Sequence, residues 1–315
     1  MKRCLCCGRP LGARDAFYHA TCMTKLFSTN HVPAFDLSQK ALNDLAKSTI
    51  LARVSVPGVQ PKLSVHLEIG SSDTGARLTL VGLEGGYILK PQTPDWTLLP
   101  EAEHFCMTFA RTCKITTAEF GLIPLQSGER AYITRRMDRG ANGILHMEDF
   151  CQITDKLTAQ KYNGSMEQVG KALRQHSSVP GLDVVRFFEL AVFCYLSGNS
   201  DMHLKNFSLI RYLDGRYELA PAYDLVPVKL VMPADKEEMA LTLNGKKAKL
   251  KRQDFERFGT TIGLTLAQLE KAISRMCEAA QANVSDALAC SFMTEEMNNR
   301  FLDDFNTHLR KLEGF

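Results

Sequence analysis

The chain has 315 residues, 45% of them hydrophobic and 23% charged. That is an ordinary globular composition, long enough for a two-lobed domain with a sizeable core. A net charge of +3 is too small to argue for nucleic acid on electrostatic grounds, so no direct DNA binding is expected. No apolar run approaches the roughly 18 residues of a membrane span, and the start MKRCLCCGRPLG lacks the apolar segment of a secretory signal. A cytoplasmic setting with no membrane partner follows as the expectation. In a reducing compartment the ten cysteines point to metal where they cluster and to core packing where they scatter.

In chain order, residues 1–30 form a Cys/His-rich head. Its pattern Cys4-x₂-Cys7-x₁₁-His19-x₂-Cys22 places four soft ligands in two pairs, which suits a tetrahedral structural Zn²⁺. Cys6 offers an alternative ligand, and Tyr18-His19 could instead pack. So short a segment has little core, so a metal would help it fold. Residues 36–51 carry Leu37, Leu42, Leu45 and Ile50 at near-helical spacing. From about 54 to 135 the pattern is strand-like: VSVPGVQPKLSVHLE, RLTLVGL, GYILKP, AEFGLIPL and RAYITRR are β-rich runs between turns. One helix interrupts them from Pro100 to Arg111, with Ala102, Phe105, Phe109 and Ala110 on one face.

Helices dominate beyond about 150. Ser165–His176 and Asp183–Ser197 are expected, the second stopped by Gly198. A hairpin FSLIRYL-DG-RYELA follows with a two-residue Asp214-Gly215 turn, and helices recur at about 265–281 and 293–312. The remaining cysteines (Cys106, Cys113, Cys151, Cys194, Cys277, Cys290) read as core. The basic run Lys246–Arg252 reads as a solvated turn, with a tRNA-like or acidic partner as the alternative. The expected organisation is a knuckle (1–30), a β-rich N-lobe (31–147) and a helical C-lobe (148–315). This is an α+β, bilobal layout, and a nucleotide would be expected to bind in the cleft between the lobes.

The chemistry concentrates in Asp201-Met-His-Leu-Lys-Asn206 and in Asp224, which follows the hairpin. Phosphoryl transfer from ATP needs an acceptor for the attacking hydroxyl's proton and oxygen ligands for Mg²⁺. Asp201 supplies the first, and Asn206 and Asp224 the second; the bland alternative is a helix–loop connection with a satisfied turn. Upstream, Ser55-Val-Pro-Gly-Val-Gln-Pro-Lys62 reads as a phosphate-covering loop in which Gly58 admits backbone approach and Lys62 neutralises charge. Lys90 ends an apolar strand and needs an anionic partner, either a nucleotide phosphate or Glu103. HMEDFCQI at 146–153 falls at the connector, where backbone groups of Glu148 and Phe150 could meet adenine, or where an acidic helix simply starts.

Together VSVPGVQPKLSV, GYILKP, HMEDFCQI, SGNSDMHLKNFSLI and PAYDLVP resemble the HipA family of bacterial serine/threonine kinases, the toxins of toxin–antitoxin systems. The resemblance runs from about residue 50 to about 310. It implies that Asp201 is the catalytic base, that Asn206 and Asp224 bind Mg²⁺, and that His203 lies beside the phosphates. It places Pro57, Gly58, Val59, Gln60 and Lys62 over the triphosphate of ATP and Lys90 in contact with it. Glu148, Asp149 and Phe150 match the nucleotide-contacting hinge, and Tyr223 precedes the metal aspartate as in the family. Ser55 matches a serine whose autophosphorylation expels the loop from the ATP site. A dianion beside a bound triphosphate repels it.

Full-length family members carry an extra N-terminal subdomain before the phosphate loop, so this chain resembles the short HipT-like variants. The resemblance then implies a small HipS-like protein in place of that subdomain, a helix-turn-helix HipB-like antitoxin, or both. It also implies an aminoacyl-tRNA synthetase as protein substrate. Pro57 is a departure in a loop of variable sequence. A catalytically silent binding module and a small-molecule or lipid kinase are the competing readings.

Overall fold

The computed structural model describes residues 2–13, 15–35, 41–42, 60–70, 75–81, 85–140 and 143–314. Ser55, Pro57, Gly58 and Val59 lie outside the described residues, as does most of the helix expected over 36–51. The chain divides into two compact units: Met1–Phe105 with Ala118–Met137 and Ala289–Met293, and Cys106–Thr117 with Asp138–Leu288 and Thr294–Phe315.

The first unit contains helix α1 (Ala20–Phe27), strands β1 (Leu63–Ile69), β2 (Ala76–Leu80) and β3 (Tyr87–Lys90), the first half of helix α2 (Leu99–Thr112), and strands β4 (Phe120–Pro124) and β5 (Arg130–Arg135). The strands form one antiparallel sheet in the order β2-β1-β3-β5-β4. Alternation builds it: Leu63 and Val65 are buried while His66 and Glu68 face water. Strand β4 is at one edge, and its Phe120–Ile123 run is buried throughout. That edge is covered, because Leu122 N–H donates to Leu5 O at 2.8 Å and Tyr18 Oη donates to Leu122 O at 2.8 Å. Helix α2 buries the expected Ala102, Phe105, Phe109 and Ala110, and keeps Pro100 in its first turn, where a missing N–H costs nothing.

The second unit contains β6 (Arg139–Gly140), β7 (Gly143–Ile144), β8 (Met147–Asp149), α3 (Phe150–Ile153), α4 (Met166–His176), α5 (Pro180–Leu196), β9 (Ser208–Arg211), β10 (Tyr217–Leu219), α6 (Val228–Val231), α7 (Arg252–Thr261), α8 (Leu266–Ala289) and α9 (Glu295–Glu313). Helix α5 is its axis. It is apolar on almost every side and buries Val184, Phe187, Phe188 and all of Leu190–Leu196. Phe187 and Phe188 meet Phe258 at 6.0 and 5.6 Å, and Tyr195 meets Phe255 at 5.1 Å, so α7 packs on α5.

Helix α7 is absent from the sequence expectation. The basic run before it is tied down: Lys246 Nζ pairs with Asp254 Oδ1 at 2.8 Å, and Lys251 N–H donates to Asp254 Oδ2 at 2.9 Å. The hairpin also differs. Tyr212 N–H bonds Arg216 O at 2.9 Å, closing a three-residue loop, Leu213-Asp214-Gly215, in place of the expected two. The Asp214 carboxylate supplies the reason by accepting Arg216 N–H at 3.1 Å inside the loop. No helix among the described residues is long and apolar enough to cross a membrane.

Candidate functional site

Helix α5 ends at Leu196, and Gly198 takes a left-handed conformation at φ 65°. The chain then enters the Asp201–Asn206 loop, closed by bonds within itself. His203 N–H donates to Asp201 O at 2.8 Å, Asn206 N–H to His203 O at 2.9 Å, and Asn206 Nδ2 to Asp201 O at 2.9 Å. With its amide nitrogen committed to the Asp201 carbonyl, Asn206 keeps its side-chain oxygen, an acceptor, for any further partner. His203 and Asn206 are buried, and Asp201 and Asp224 are half-buried.

Asp201 Oδ1 accepts the hydroxyl hydrogen of Tyr162 at 2.7 Å. Partial burial first, and then the charge of Asp201, pushes the Tyr162 phenol above its ordinary range; Asp224 and Asp235 add to the effect. The phenol therefore keeps its proton, and three carboxylates act on one hydroxyl. Asp235 is itself held by Ser200 Oγ at 2.6 Å. Neither Tyr162 nor Asp235 emerged from the sequence, because each lies more than 30 residues from its hydrogen-bond partner, Asp201 or Ser200.

Behind the loop, β8 pairs with β9 through Glu148↔Leu209 and Asp149↔Ser208. Asp149 caps α3 by accepting Gln152 N–H at 3.1 Å and holds Lys205 Nζ at 2.6 Å. Phe150 N–H donates to Phe207 O at 3.1 Å, and Glu148 pairs with His146 at 3.0 Å. The Tyr223 hydroxyl reaches Ser208 Oγ at 2.6 Å and Lys205 O at 2.9 Å; burial pushes this phenol up as well. It thereby fixes the residue before Asp224, whose own backbone is left-handed at φ 59°, a conformation aspartate tolerates better than most residues.

In the first unit, Lys90 Nζ pairs with Glu103 Oε1 at 2.5 Å, with both side chains buried. Of the two partners open in the sequence, this structure shows Glu103. The Lys90 ammonium also stands 5.4 Å from the Tyr132 ring centroid. Gln60 and Lys62 lead into β1, and Lys62 is exposed.

The same unit gathers Cys4, Cys7, His19 and Cys22, with ligand atoms all within 4.8 Å of one another. Cys7 Sγ is 3.4 Å from His19 Nδ1, and His19 Nε2 is 3.0 Å from Pro10 O. Cys4, Cys7 and Cys22 share hydrogen bonds among their sulfurs, which pull the Cys4 thiol down and push the Cys22 thiol up. Cys6 lies outside the four-ligand group, its sulfur close against Gly121 of β4.

Residues 54–284 match the family model described as HipA-like C-terminal domain. A protein of Haemophilus influenzae named "Putative kinase" is 30% identical over 239 residues, 67% of this chain and 68% of that protein. A "Putative kinase" of Sinorhizobium fredii is 35% identical over 187 residues, 55% of this chain but only 45% of the relative. The chain thus spans less than half the length of that relative. Among solved structures, HipA of Shewanella oneidensis, determined with HipB and operator DNA, superimposes with a TM-score of 0.68 at 21% identity. That match covers 83% of this chain and 65% of HipA. The Helicobacter pylori proinflammatory kinase CtkA gives 0.54 at 16% identity, covering 79% and 93%. These likenesses show a kinase-like α+β fold.

Proposed function

The chain belongs to the HipA-like C-terminal domain family, and from that premise we propose that it is an ATP- and Mg²⁺-dependent protein serine/threonine kinase. One observation carries the reading. Asp201 already accepts a hydrogen bond from a hydroxyl at 2.7 Å, the relationship that a base must have with an attacking serine or threonine.

In this reading Asp201 orients the acceptor hydroxyl and takes its proton, while the Asn206 amide oxygen and the Asp224 carboxylate hold the cation. ATP and Mg²⁺, when bound, supply the γ-phosphoryl group and neutralise its charge. The Tyr223 hydroxyl holds the backbone before Asp224, and the Asn206 amide holds Asp201, so positioning is built into the loop before substrate arrives. Lys62, Lys90 and His203 take phosphate roles, the 148–150 segment takes the nucleotide base, and Ser55 is the regulatory autophosphorylation site.

The biological reading is a growth-arresting toxin of a toxin–antitoxin pair, acting in the cytoplasm on an aminoacyl-tRNA synthetase. Its proposed partners are a small HipS-like protein, a HipB-like helix-turn-helix protein, or both. The observation behind the partners is that the solved HipA likeness was determined with HipB and DNA.

Incubation with radiolabelled ATP, alone and with cell lysate, tests the activity. A labelled protein band that disappears in Asp201→Asn supports it. Label confined to lipid or small molecules, or no label at all, rejects it.

A further inference from the structure

The Cys/His head is not used by the phosphoryl-transfer reading, yet it is built as a site. We infer that Cys4, Cys7, His19 and Cys22 hold one structural Zn²⁺, and that this metal is a clasp sealing the β4 edge of the sheet that carries Lys90.

Ligand geometry is the first argument. On a tetrahedral zinc with bonds of about 2.3 Å to sulfur and about 2.0 Å to nitrogen, neighbouring ligand atoms stand about 3.5–3.8 Å apart. Here the four atoms lie within 4.8 Å of one another, and Cys7 Sγ is 3.4 Å from His19 Nδ1. A backbone carbonyl orients the imidazole for ligation, since Nε2–H donates to Pro10 O at 3.0 Å and leaves Nδ1 as the ligand nitrogen. His19 N–H also donates to Cys4 Sγ at 3.4 Å, the kind of bond that steadies a thiolate. Four protein ligands leave no open position, which marks a structural rather than a catalytic centre.

The clasp argument comes from what the ligands are attached to. The turn carrying Cys4 and Cys7 is closed by Gly8 N–H on Cys4 O at 2.8 Å. Gly8 has φ +70°, and a Cβ there would stand 2.0 Å from Cys290 O. Between the two thiols, Leu5 O accepts Leu122 N–H from the edge strand, and Cys6 O lies 2.9 Å from His104 Nε2 on α2. From the other ligand pair springs α1, whose Leu26 O accepts the Tyr87 hydroxyl of β3 at 3.0 Å. Gly121 in β4 is the imprint of this packing: a Cβ there would stand 2.9 Å from Leu26 Cδ2 and 3.1 Å from Cys6 Sγ. The four ligands thus tie the turn over β4 to the helix beside β3, and β3 ends in Lys90.

Two independent readouts test the site and the clasp. Protein purified without chelator from zinc-supplemented cells is expected to contain one zinc per chain by mass spectrometry. After exchange it should show the visible bands of tetrahedral thiolate-bound Co²⁺. Cys7→Ser and Cys22→Ser should lose the metal, and Cys6→Ser should keep it. Zinc well under one per chain, iron in its place, or a cobalt spectrum without thiolate character overturns the site even if the variants fail to fold. For the clasp, stripping zinc from intact protein should speed amide exchange over residues 118–125 by about tenfold or more and leave α5 unchanged. Unchanged exchange over 118–125 overturns it. Any accompanying loss of phosphoryl transfer rests on the kinase reading, whereas metal content and amide exchange do not.

Discussion

The Tyr162 hydroxyl donates to Asp201 Oδ1 at 2.7 Å while its ring stands edge-on to His203, with centroids 5.1 Å apart. Under the proposed kinase reading, a hydroxyl on this carboxylate occupies the place that an acceptor serine or threonine needs, so substrate has to displace it. Tyr162→Phe keeps the ring and deletes the competitor. A hydrogen bond to a charged group contributes roughly 1.5–3 kcal/mol, and the partial exposure of Tyr162 favours the lower end. The variant should therefore show an up to about tenfold lower KM for its protein acceptor with kcat little changed. A fall in kcat at constant KM would show instead that Tyr162 positions Asp201.

Asp201 and Asp224 should separate in their dependence on metal. Asp201→Asn is expected to lower kcat by a factor on the order of 10²–10⁴ at every Mg²⁺ concentration, as loss of a proton acceptor does. Asp224→Asn should shift the Mg²⁺ requirement upward by about 10- to 100-fold. Initial rates across a Mg²⁺ titration decide between these patterns. If excess Mg²⁺ rescued Asp201→Asn, the assigned roles would be wrong.

The buried Lys90–Glu103 pair sets a stability prediction. Removing either partner strands a charge in the core and should cost about 3–5 kcal/mol. Lys90→Met with Glu103→Leu replaces both charges with apolar groups, so the double variant should lose less than the sum of the singles by roughly 0.5–3 kcal/mol. Urea denaturation of all four proteins measures this. Additive losses would mean that the two charges do not depend on each other.

His308 predicts an acid limb. It is buried beside Tyr195 at 4.6 Å, and neither ring nitrogen has a hydrogen-bond partner among the described residues. Burial, and then the charge of Lys229, pushes its pKa down from 6.5 to about 4. The unfolded chain thus binds the proton more readily, so stability should be fully present above pH about 6.5 and fall as pH drops towards 4. The total is roughly 3 kcal/mol. His308→Leu should flatten this stretch of the stability–pH profile while leaving the rest intact. An unchanged slope would place the acid sensitivity elsewhere.

Legibility differed between elements for physical reasons. Helices α4 and α9 were readable because their caps and apolar faces are local, whereas α5, with no side-chain cap at Val179, begins at Pro180 in place of the expected Asp183. Ser165 and Thr294 accept the N–H groups of Gln168 and Met297, three residues on. Helix α7 was not, because its first turn depends on Asp254 gathering Lys246, Asn244 and Lys251, and its apolar face has meaning only against α5.

The amino-acid sequence by itself determined the Asp201–Asn206 loop and the Cys/His head. The loop's closing bonds span five residues or fewer, and the head's ligands fall within 19 residues. Such short-range geometry is written in spacing. Only the tertiary structure decided that Lys90 meets Glu103, that Tyr162 caps Asp201 from 39 positions away, and that Gly121 makes room for Leu26 and Cys6. These contacts join segments whose separation along the chain carries no periodic signal, so they exist only once packing has brought the surfaces together.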